Sequence, residues 1–259
     1  MRTFCMCSSV AALLLVTAIL TVPAKAILTV PAKNLRVVFR GPMNIEAFWG
    51  GDRPRYDWFW WENWRPNGAP LPNDELLVDG RFVQPVWQSD LTTPQNWRIW
   101  TYEEVITDGG SITLYGPEVE VGFAGGVCVG LEKSATMEIA SGAYLAASAY
   151  DTYVGLEATA EGHVVVSGAG STWDICDRGL YLGYRGSGSL TVSDGGVVSN
   201  IDAYGSDPGS YLGYHAGSSG EVTVSGAGST WAKPAKPLYV AYDGSGSLTI
   251  ADGGVVSKR

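Results

Sequence analysis

The sequence predicts an all-β protein, a parallel β-solenoid (β-helix) of about five coils of roughly 27 residues behind an aromatic-rich N-terminal cap. The first observation is a near repeat at an offset of 58 residues: SGAGSTW ends at Trp173 and Trp231, and DGGVVS ends at Ser199 and Ser257. The second is the alternation of apolar and hydroxyl residues in Ser189–Ser193 (SLTVS), which is typical of a strand. Self-similarity at a fixed offset indicates stacked units, and the alternation indicates that strands build them.

Two series of strand-like segments define the coil. The first series ends on apolar residues 25 to 32 positions apart: Leu114, Ile139, Val166, Val192, Val224 and Ile250. The second has the form YLGY: Val127–Gly130 (VCVG), Tyr153–Leu156, Tyr181–Tyr184, Tyr211–Tyr214 and Tyr239–Tyr242. Each coil then holds an aromatic strand, a Gly/Ser turn, a longer strand, a second turn and a short third strand. The 58-residue offset spans two coils of alternating type. A β-sandwich is the alternative, because short strands and Gly-rich turns suit it too.

The second turn contains Asp-Gly-Gly in two coils, at Asp194 and Asp252. Such residues provide the positive backbone angles that a tight corner requires. Stacked carboxylates could also attract calcium, but the calcium-binding nonapeptide signature is absent. We therefore interpret both aspartates as turn residues and predict no metal site.

Residues 1–26 resemble a secretory signal peptide. Arg2 precedes the apolar run Val10–Val22, which is too short to span a bilayer, and Ala24-Lys25-Ala26 fits a small-x-small cleavage site. The octapeptide AILTVPAK occurs twice in succession, so cleavage after Ala24 or Ala32 is an alternative to cleavage after Ala26. An uncleaved membrane anchor is the other interpretation. The prediction is export, with the mature chain secreted or at the cell surface.

Four cysteines are present, and Cys5 and Cys7 fall within the predicted signal peptide. An exported protein could pair the remaining two, Cys128 and Cys176. Stacking would place them about two coils apart, which exceeds disulfide reach. We expect two buried thiols.

Residues 27–108 form the predicted N-terminal cap and first coils, and residues 109–259 form the predicted solenoid repeats. Eight of the ten tryptophans lie between Ala47 and Trp100, most densely at Trp58–Trp64. One interpretation is a platform on which sugars stack. The other, which we favour, is a cap over the open apolar end of the first coil, which solenoids need for solubility.

The chain resembles the autotransporter-associated, passenger-type β-strand repeat family of large exported bacterial proteins. The resemblance rests on Trp58–Trp64, Gly68-Ala69-Pro70 and Asp74–Val78, followed by the GSLTVSDGGVVS and VTVSGAGSTW units. It implies a β-solenoid, export, and a role as stalk, adhesin or surface-layer material. Such proteins usually carry a C-terminal anchoring or sorting segment. This sequence stops at Lys258-Arg259 within a repeat unit, so we expect it to be a fragment or an incomplete gene product.

Candidate chemistry is sparse, and the sequence predicts no catalytic, cofactor-binding or metal-binding residues. His163 and His215 share no column of the aligned coils, and we expect both to be solvated surface residues. No nucleophile elbow or phosphate loop is present. The net charge of −9 and the lack of basic runs argue against binding of nucleic acid.

Two functions fit these observations. The favoured one is a non-catalytic exported structural or adhesin-like protein that binds glycans, other surface proteins, or copies of itself through its terminal coil. The alternative is a polysaccharide-acting β-helix lyase or hydrolase. Such enzymes need carboxylates and basic residues along one groove, whereas Gly183–Asn200 contains only Arg185 and Asp194 as charged residues.

Overall fold

The computed structural model describes residues 36–39, 56–57, 64–65, 71–79, 99–101, 104–117, 119–123, 125–147, 150–175, 178–200, 209–232 and 237–257. All of them lie in one compact unit, Asn34–Arg259. These residues form 23 β-strands and no helix, and hence no helix long and apolar enough to cross a membrane. The predicted signal peptide, residues 1–26, lies outside the described residues.

The strands form three sheets, which confirms the predicted parallel β-solenoid. The long sheet contains β1 (Arg36–Phe39), β3 (Trp64–Arg65), β4 (Glu75–Asp79), β7 (Ser111–Tyr115), β10 (Ser134–Ala140), β13 (Glu161–Ser167), β16 (Ser187–Ser193), β19 (Ser219–Ser225) and β22 (Ser245–Ala251). The closing sheet contains β2 (Tyr56–Asp57), β5 (Ile99–Thr101), β8 (Glu120–Phe123), β11 (Tyr144–Ala147), β14 (Thr172–Ile175), β17 (Val197–Ser199), β20 (Thr230–Ala232) and β23 (Val255–Ser257). The tyrosine sheet contains β6 (Val105–Thr107), β9 (Val127–Val129), β12 (Thr152–Val154), β15 (Leu180–Leu182), β18 (Ser210–Leu212) and β21 (Leu238–Val240).

From Val105 onward the chain visits the tyrosine sheet, the long sheet and the closing sheet in turn. Val105 and Leu238 occupy equivalent positions in the first and last of these rounds, so the chain makes five complete turns between them. Every coil pairs with its neighbours in parallel, as the 58-residue repeat indicates. Successive coils therefore lie about 4.8 Å apart along the axis.

The register of the long sheet matches the predicted series at every step. The backbone partners run through Leu114, Ile139, Val166, Val192, Val224 and Ile250. The second series was wrong by one residue at its first member, because Cys128, and not Val127, pairs with Tyr153. This register aligns Gly130 with Gly155, and both have a φ of 76°. The shared left-handed corner, which glycine adopts at little cost, fixes the alignment.

The core fills the interior of the coils with one side chain per alternate strand position. In β16, Leu190 and Val192 are buried and belong to a core cluster that runs from Leu76 to Val224 and Trp231. Thr191 between them faces outward. This alternation is the one that the sequence predicts for a sheet with one buried face.

Buried tryptophans explain why the sequence repeats every two coils. One column of the closing sheet runs Leu145, Trp173, Val198, Trp231 and Val256. Both indoles are fully buried, and a valine stands between them. The smaller side chain at each intervening position leaves room for the neighbouring indoles in an interior packed at the density of a crystal. Large and small residues therefore alternate.

The second turn also alternates between two types. Asp194 and Asp252 adopt φ angles of 53° and 50°, and the glycine after each has a φ of 85°. The intervening coils carry Gly-Ala-Gly-Ser, whose serine is fully buried. Ser171 Oγ accepts a hydrogen bond from the Gly142 backbone N–H at 2.9 Å and donates to the Ser167 carbonyl at 2.6 Å. The serine therefore ties its own turn to the turn of the preceding coil.

The first turn brings backbones of adjacent coils closest together at a column of glycines. A Cβ on Gly155, Gly183 or Gly213 would lie 2.0, 2.0 or 2.1 Å from a carbonyl oxygen of the next coil. All three have positive φ angles between 65° and 76°. Glycine is therefore strongly favoured at these three positions, because a Cβ would collide with the next coil and the left-handed backbone suits glycine.

The described parts of residues 27–108 continue the same sheets. β4 pairs in parallel with β7, and β1 pairs in parallel with β4. β3 then pairs with β1 in the antiparallel direction. Most of the tryptophan-rich cluster at Trp58–Trp64 lies outside the described residues, so its role as a cap or a sugar platform stays a prediction.

Candidate ligand-binding face

The strands of the tyrosine sheet direct aromatic side chains outward. In β15, Leu180 and Leu182 are fully buried, and Tyr181 lies between them on the opposite face. Gly183 then turns the chain, which brings Tyr184 onto the same outer surface. We define the tyrosine face as two columns, Tyr153–Tyr181–Tyr211–Tyr239 and Tyr184–Tyr214–Tyr242.

Within each column the rings are stacked from coil to coil. Ring centroids in the first column are 5.2, 4.9 and 4.9 Å apart, with interplanar angles of 16° or less. Both steps of the second column measure 5.0 Å. These distances are those of offset-stacked rings, which gain about 0.5–1.5 kcal/mol per pair beyond area burial.

The two columns meet edge to face. Tyr181 and Tyr184 are 5.5 Å apart with an interplanar angle of 85°, and the pair Tyr211–Tyr214 has nearly the same geometry. The result is a herringbone of rings with a fixed spacing in two directions. Each ring is held by its neighbours, so its orientation costs little further entropy on binding.

Exposure rises toward the last coil in both columns, and Tyr239 of the first column is 38% exposed there. Tyr153 and Tyr181 are 6% and 8% exposed, whereas Tyr184 and Tyr214 are half-buried and Tyr242 is 52% exposed. Because the ring faces are stacked against each other, the groups offered to a ligand are ring edges and phenolic hydroxyls. A phenol both donates and accepts a hydrogen bond.

A column of polar residues borders the second tyrosine column: Glu157, Arg185, His215 and Asp243, one in each coil. The Arg185 guanidinium donates to Glu157 Oε2 at 3.2 Å and lies 5.9 Å from the centre of the Tyr184 ring. More than half of the Arg185 side chain is exposed. Water screens this exposed ion pair, and Asp243 adds a second acidic side chain to the border.

His215 is not the solvated surface residue that the sequence predicts. Its ring packs edge-on against Tyr184 and Tyr214, with centroids 4.6 and 4.9 Å away. Its Nε2 is buried and has no hydrogen-bond partner among the described residues. The prediction failed because His215 follows a tyrosine of the second column, so the rings of two coils enclose it.

Burial favours the neutral form of two phenols of the face, Tyr181 and Tyr214. Burial raises the pKa of Tyr181 far above its ordinary value, and the nearby Asp151 carboxylate raises it further. Burial and neighbouring tyrosines also raise the pKa of Tyr214. Burial raises the pKa of Asp151 as well, against the lowering effects of the Gly179 N–H at 2.9 Å and of Arg178. The hydroxyls of Tyr181 and Tyr214 therefore remain donors at physiological pH.

The outer surface of the long sheet forms a second regular array, the hydroxyl face. It consists of stacked serine and threonine columns, of which the clearest is Thr191–Thr223–Thr249. His163 lies on this face, is exposed, and is 2.8 Å from Ser189 Oγ through its Nδ1. This placement confirms His163 as a surface residue, in a different column from His215.

The other sequence-predicted residues are not assembled into a reactive site. Asp194 and Asp252 occupy left-handed turn positions, as predicted, two coils apart. Cys128 is fully buried, and Cys176 lies outside the described residues. Among the described residues, no three His, Cys, Asp or Glu side chains converge as a metal site would require.

The described residues form an all-β parallel solenoid with an ordered aromatic face. The chain is similar to the adhesin BmaC autotransporter of Brucella suis biovar 1 (strain 1330), with 36% identity over 151 residues. The matched part is 55% of this chain and 4% of that protein, so the chain corresponds to a small segment of its relative. No protein-family model matches the sequence, and no solved structure matches it.

The sequence contained the signal for the tyrosine face, and sequence reasoning missed it. Tyrosine at the first and fourth positions of YLGY flanks a buried leucine and a left-handed glycine. Strand alternation places the first tyrosine outside, and the corner returns the fourth to the same side. The sequence gives no indication that Asp151 is buried near the tyrosine face, because its burial depends on the packing of neighbouring coils.

Proposed function

We propose that the chain is a segment of an exported, adhesin-like bacterial surface protein that binds neutral linear glycans along its tyrosine face without catalysing a reaction. The observation that carries this proposal is the tyrosine face itself. Its coil-to-coil spacing of 4.9–5.2 Å repeats phenolic groups along a straight line. The similarity to part of an autotransporter adhesin supports an adhesive role and a location at the cell surface.

The spacing favours a polymer over a small ligand. A linear glycan presents one sugar at an interval close to the distance between coils, so each sugar can meet the phenols of one coil. Many weak contacts on one rigid scaffold together give strong binding. After the first sugar binds, the remaining contacts form within the same complex and so at a high effective concentration. A single sugar would meet only one or two hydroxyls and bind weakly.

The charge pattern favours a neutral polymer. The chain carries a net charge of −9, and the one arginine at the border of the face is paired with Glu157. An acidic polysaccharide would be repelled by the overall charge and would find little unpaired positive charge here. Neutral hydroxyl-rich sugars suit neutral phenols better.

A panel of immobilised polysaccharides tests the proposal. The purified full chain should bind neutral linear polymers, such as a β-glucan or a mannan, and bind pectate or alginate more weakly. Incubation with the same polymers should leave their chain length unchanged. Preference for the acidic polymers would overturn the ligand class, and shortening of any polymer would overturn the non-catalytic role in favour of the polysaccharide-acting enzyme.

A further inference from the structure

Ala241 stands where the four preceding coils of this sheet have a glycine: Gly130, Gly155, Gly183 and Gly213. It follows Val240 as Gly213 follows Leu212, and Val240 pairs with Leu212. Its backbone N–H donates to the Leu212 carbonyl at 2.9 Å, as the Gly213 N–H donates to the Leu182 carbonyl at 2.9 Å. Its φ is 60°, so it keeps the left-handed conformation of the glycine column.

The Cβ of a residue in this column points along the solenoid axis toward the next coil. At Gly183 it would meet the carbonyl oxygen of Ser219 at 2.0 Å, and at Gly213 that of Ser245 at 2.1 Å. Those serines begin the long-sheet strand of the following coil. Real Cβ atoms essentially never come within 3.0 Å of another heavy atom in this way. At Gly130 the corresponding distance, to the Glu161 carbonyl oxygen, is 3.0 Å, so the contact is tightest in the later coils. The methyl group of Ala241 therefore lies where the equivalent oxygen would lie in a coil stacked beyond it in the register of Ser219 and Ser245.

We propose that Ala241 is a stacking stop. It prevents a coil of the same type, from another copy or from a continuing chain, from docking on this edge in the register that joins the earlier coils. Natural β-proteins protect sheet edges with features that reject another strand. Glycine would be the easier residue at a left-handed position, so local conformation does not account for the alanine. A second copy of the chain therefore cannot associate with the terminal coil in the normal coil-to-coil register. Self-association would require a different register or a different surface.

An added coil tests the stop directly. The full chain is extended after Ser257 by a second copy of residues 233–257, and position 241 of the first copy is left as Ala or changed to Gly or Asn. Glycine removes both the Cβ and the strain of a left-handed backbone. Asparagine tolerates the left-handed conformation but keeps a Cβ, so it shows whether the Cβ itself blocks the added coil. Amide hydrogen exchange is measured in Leu238–Val240 and Ser245–Ala251. The N–H groups of these strands that point along the axis, away from the preceding coil, gain partners only if the added coil docks.

With Ala241→Gly, hydrogen exchange of these edge N–H groups should slow at least tenfold relative to the extended chain that keeps Ala241. Ala241→Asn should behave as the alanine does. Equal protection in all three chains would overturn the proposal, since the added coil would then dock despite a Cβ. Equal exposure in all three would also overturn it, because removing the Cβ would not admit a coil. Circular dichroism of each chain checks that the earlier coils remain folded.

Discussion

Substitution of Gly183 by alanine should separate two adjacent coils. The new Cβ would lie 2.0 Å from the Ser219 carbonyl oxygen, whereas ordinary contacts begin at 3.4 Å. The backbones must therefore move apart by about 1.4 Å, within a coil spacing of about 4.8 Å. The oxygen belongs to a strand held in a parallel ladder, so it cannot rotate away as a flexible side chain could.

The cost follows from the bonds at that corner. The Gly183 N–H donates to Val154 O at 2.8 Å, Tyr214 N–H donates to Gly183 O at 2.9 Å, and Gly213 N–H donates to Leu182 O at 2.9 Å. Loss of two of them costs about 1 kcal/mol each, and an alanine with positive φ costs about 1–2 kcal/mol more. We expect Gly183→Ala to lower the free energy of unfolding by about 3–4 kcal/mol.

Gly217→Ala is the matched control. Gly217 also has a positive φ, 85°, but nothing lies within 4 Å of its added Cβ. It should therefore cost only the conformational term, about 1–2 kcal/mol. The difference between the two variants isolates the contact between coils.

Urea unfolding followed by circular dichroism measures both variants, and amide exchange shows where the loss is confined. Repeat arrays can unfold in parts, so the exchange data should place the loss in β15, β16, β18 and β19. If Gly183→Ala is no more destabilising than Gly217→Ala, the inference that coils pack closely at this glycine column is contradicted.

Three further predictions concern the core, the corner and the tyrosine face. Trp231→Ala should lower the free energy of unfolding by about 3–5 kcal/mol, because it empties a fully buried site; thermal unfolding measures the loss. Ser171→Ala should lower the free energy of unfolding by about 1–3 kcal/mol, because the Gly142 N–H and the Ser167 carbonyl lose a buried partner. Thr191→Val on the hydroxyl face is the control and should lower it by under about 0.5 kcal/mol; urea unfolding measures both. The free energy of unfolding should fall as pH rises above 10.0, the ordinary pKa of tyrosine, because the raised pKa of Tyr181 means that the unfolded chain loses this proton first. Tyr181→Phe should flatten this fall when urea midpoints are compared across alkaline pH, and an unchanged slope would refute the burial of that phenol.

The repeat made the fold predictable from sequence. Alternation at Ser189–Ser193 and the series from Leu114 to Ile250 established the long sheet, because identical strands must stack like residue on like residue. The VCVG segment was misaligned by one position because it lacks the tyrosine that marks the other coils. The shared left-handed glycine, Gly130 with Gly155, would have corrected it.

The candidate site was harder to predict than the fold. A single coil shows two tyrosines, and only stacking turns them into columns with a common spacing. His215 was misplaced for the same reason, since the rings that bury its Nε2 come from neighbouring positions in two coils. Ala241 is an unremarkable residue in sequence, and only its φ and its place in the glycine column show its effect.

The most direct test of the proposed function compares hydroxyls on two faces of the same solenoid. Tyr184→Phe with Tyr214→Phe removes two phenolic hydroxyls and keeps the ring stack, and Thr191→Val with Thr223→Val removes two hydroxyls from the hydroxyl face. Affinity for a soluble linear β-glucan is measured by calorimetry for both pairs and for the unchanged chain. The tyrosine pair should bind at least tenfold more weakly, which corresponds to about 1.4 kcal/mol, and the threonine pair should bind as the unchanged chain does. Equal affinity of the tyrosine pair and the unchanged chain, or a loss confined to the threonine pair, would contradict glycan binding by the tyrosine face.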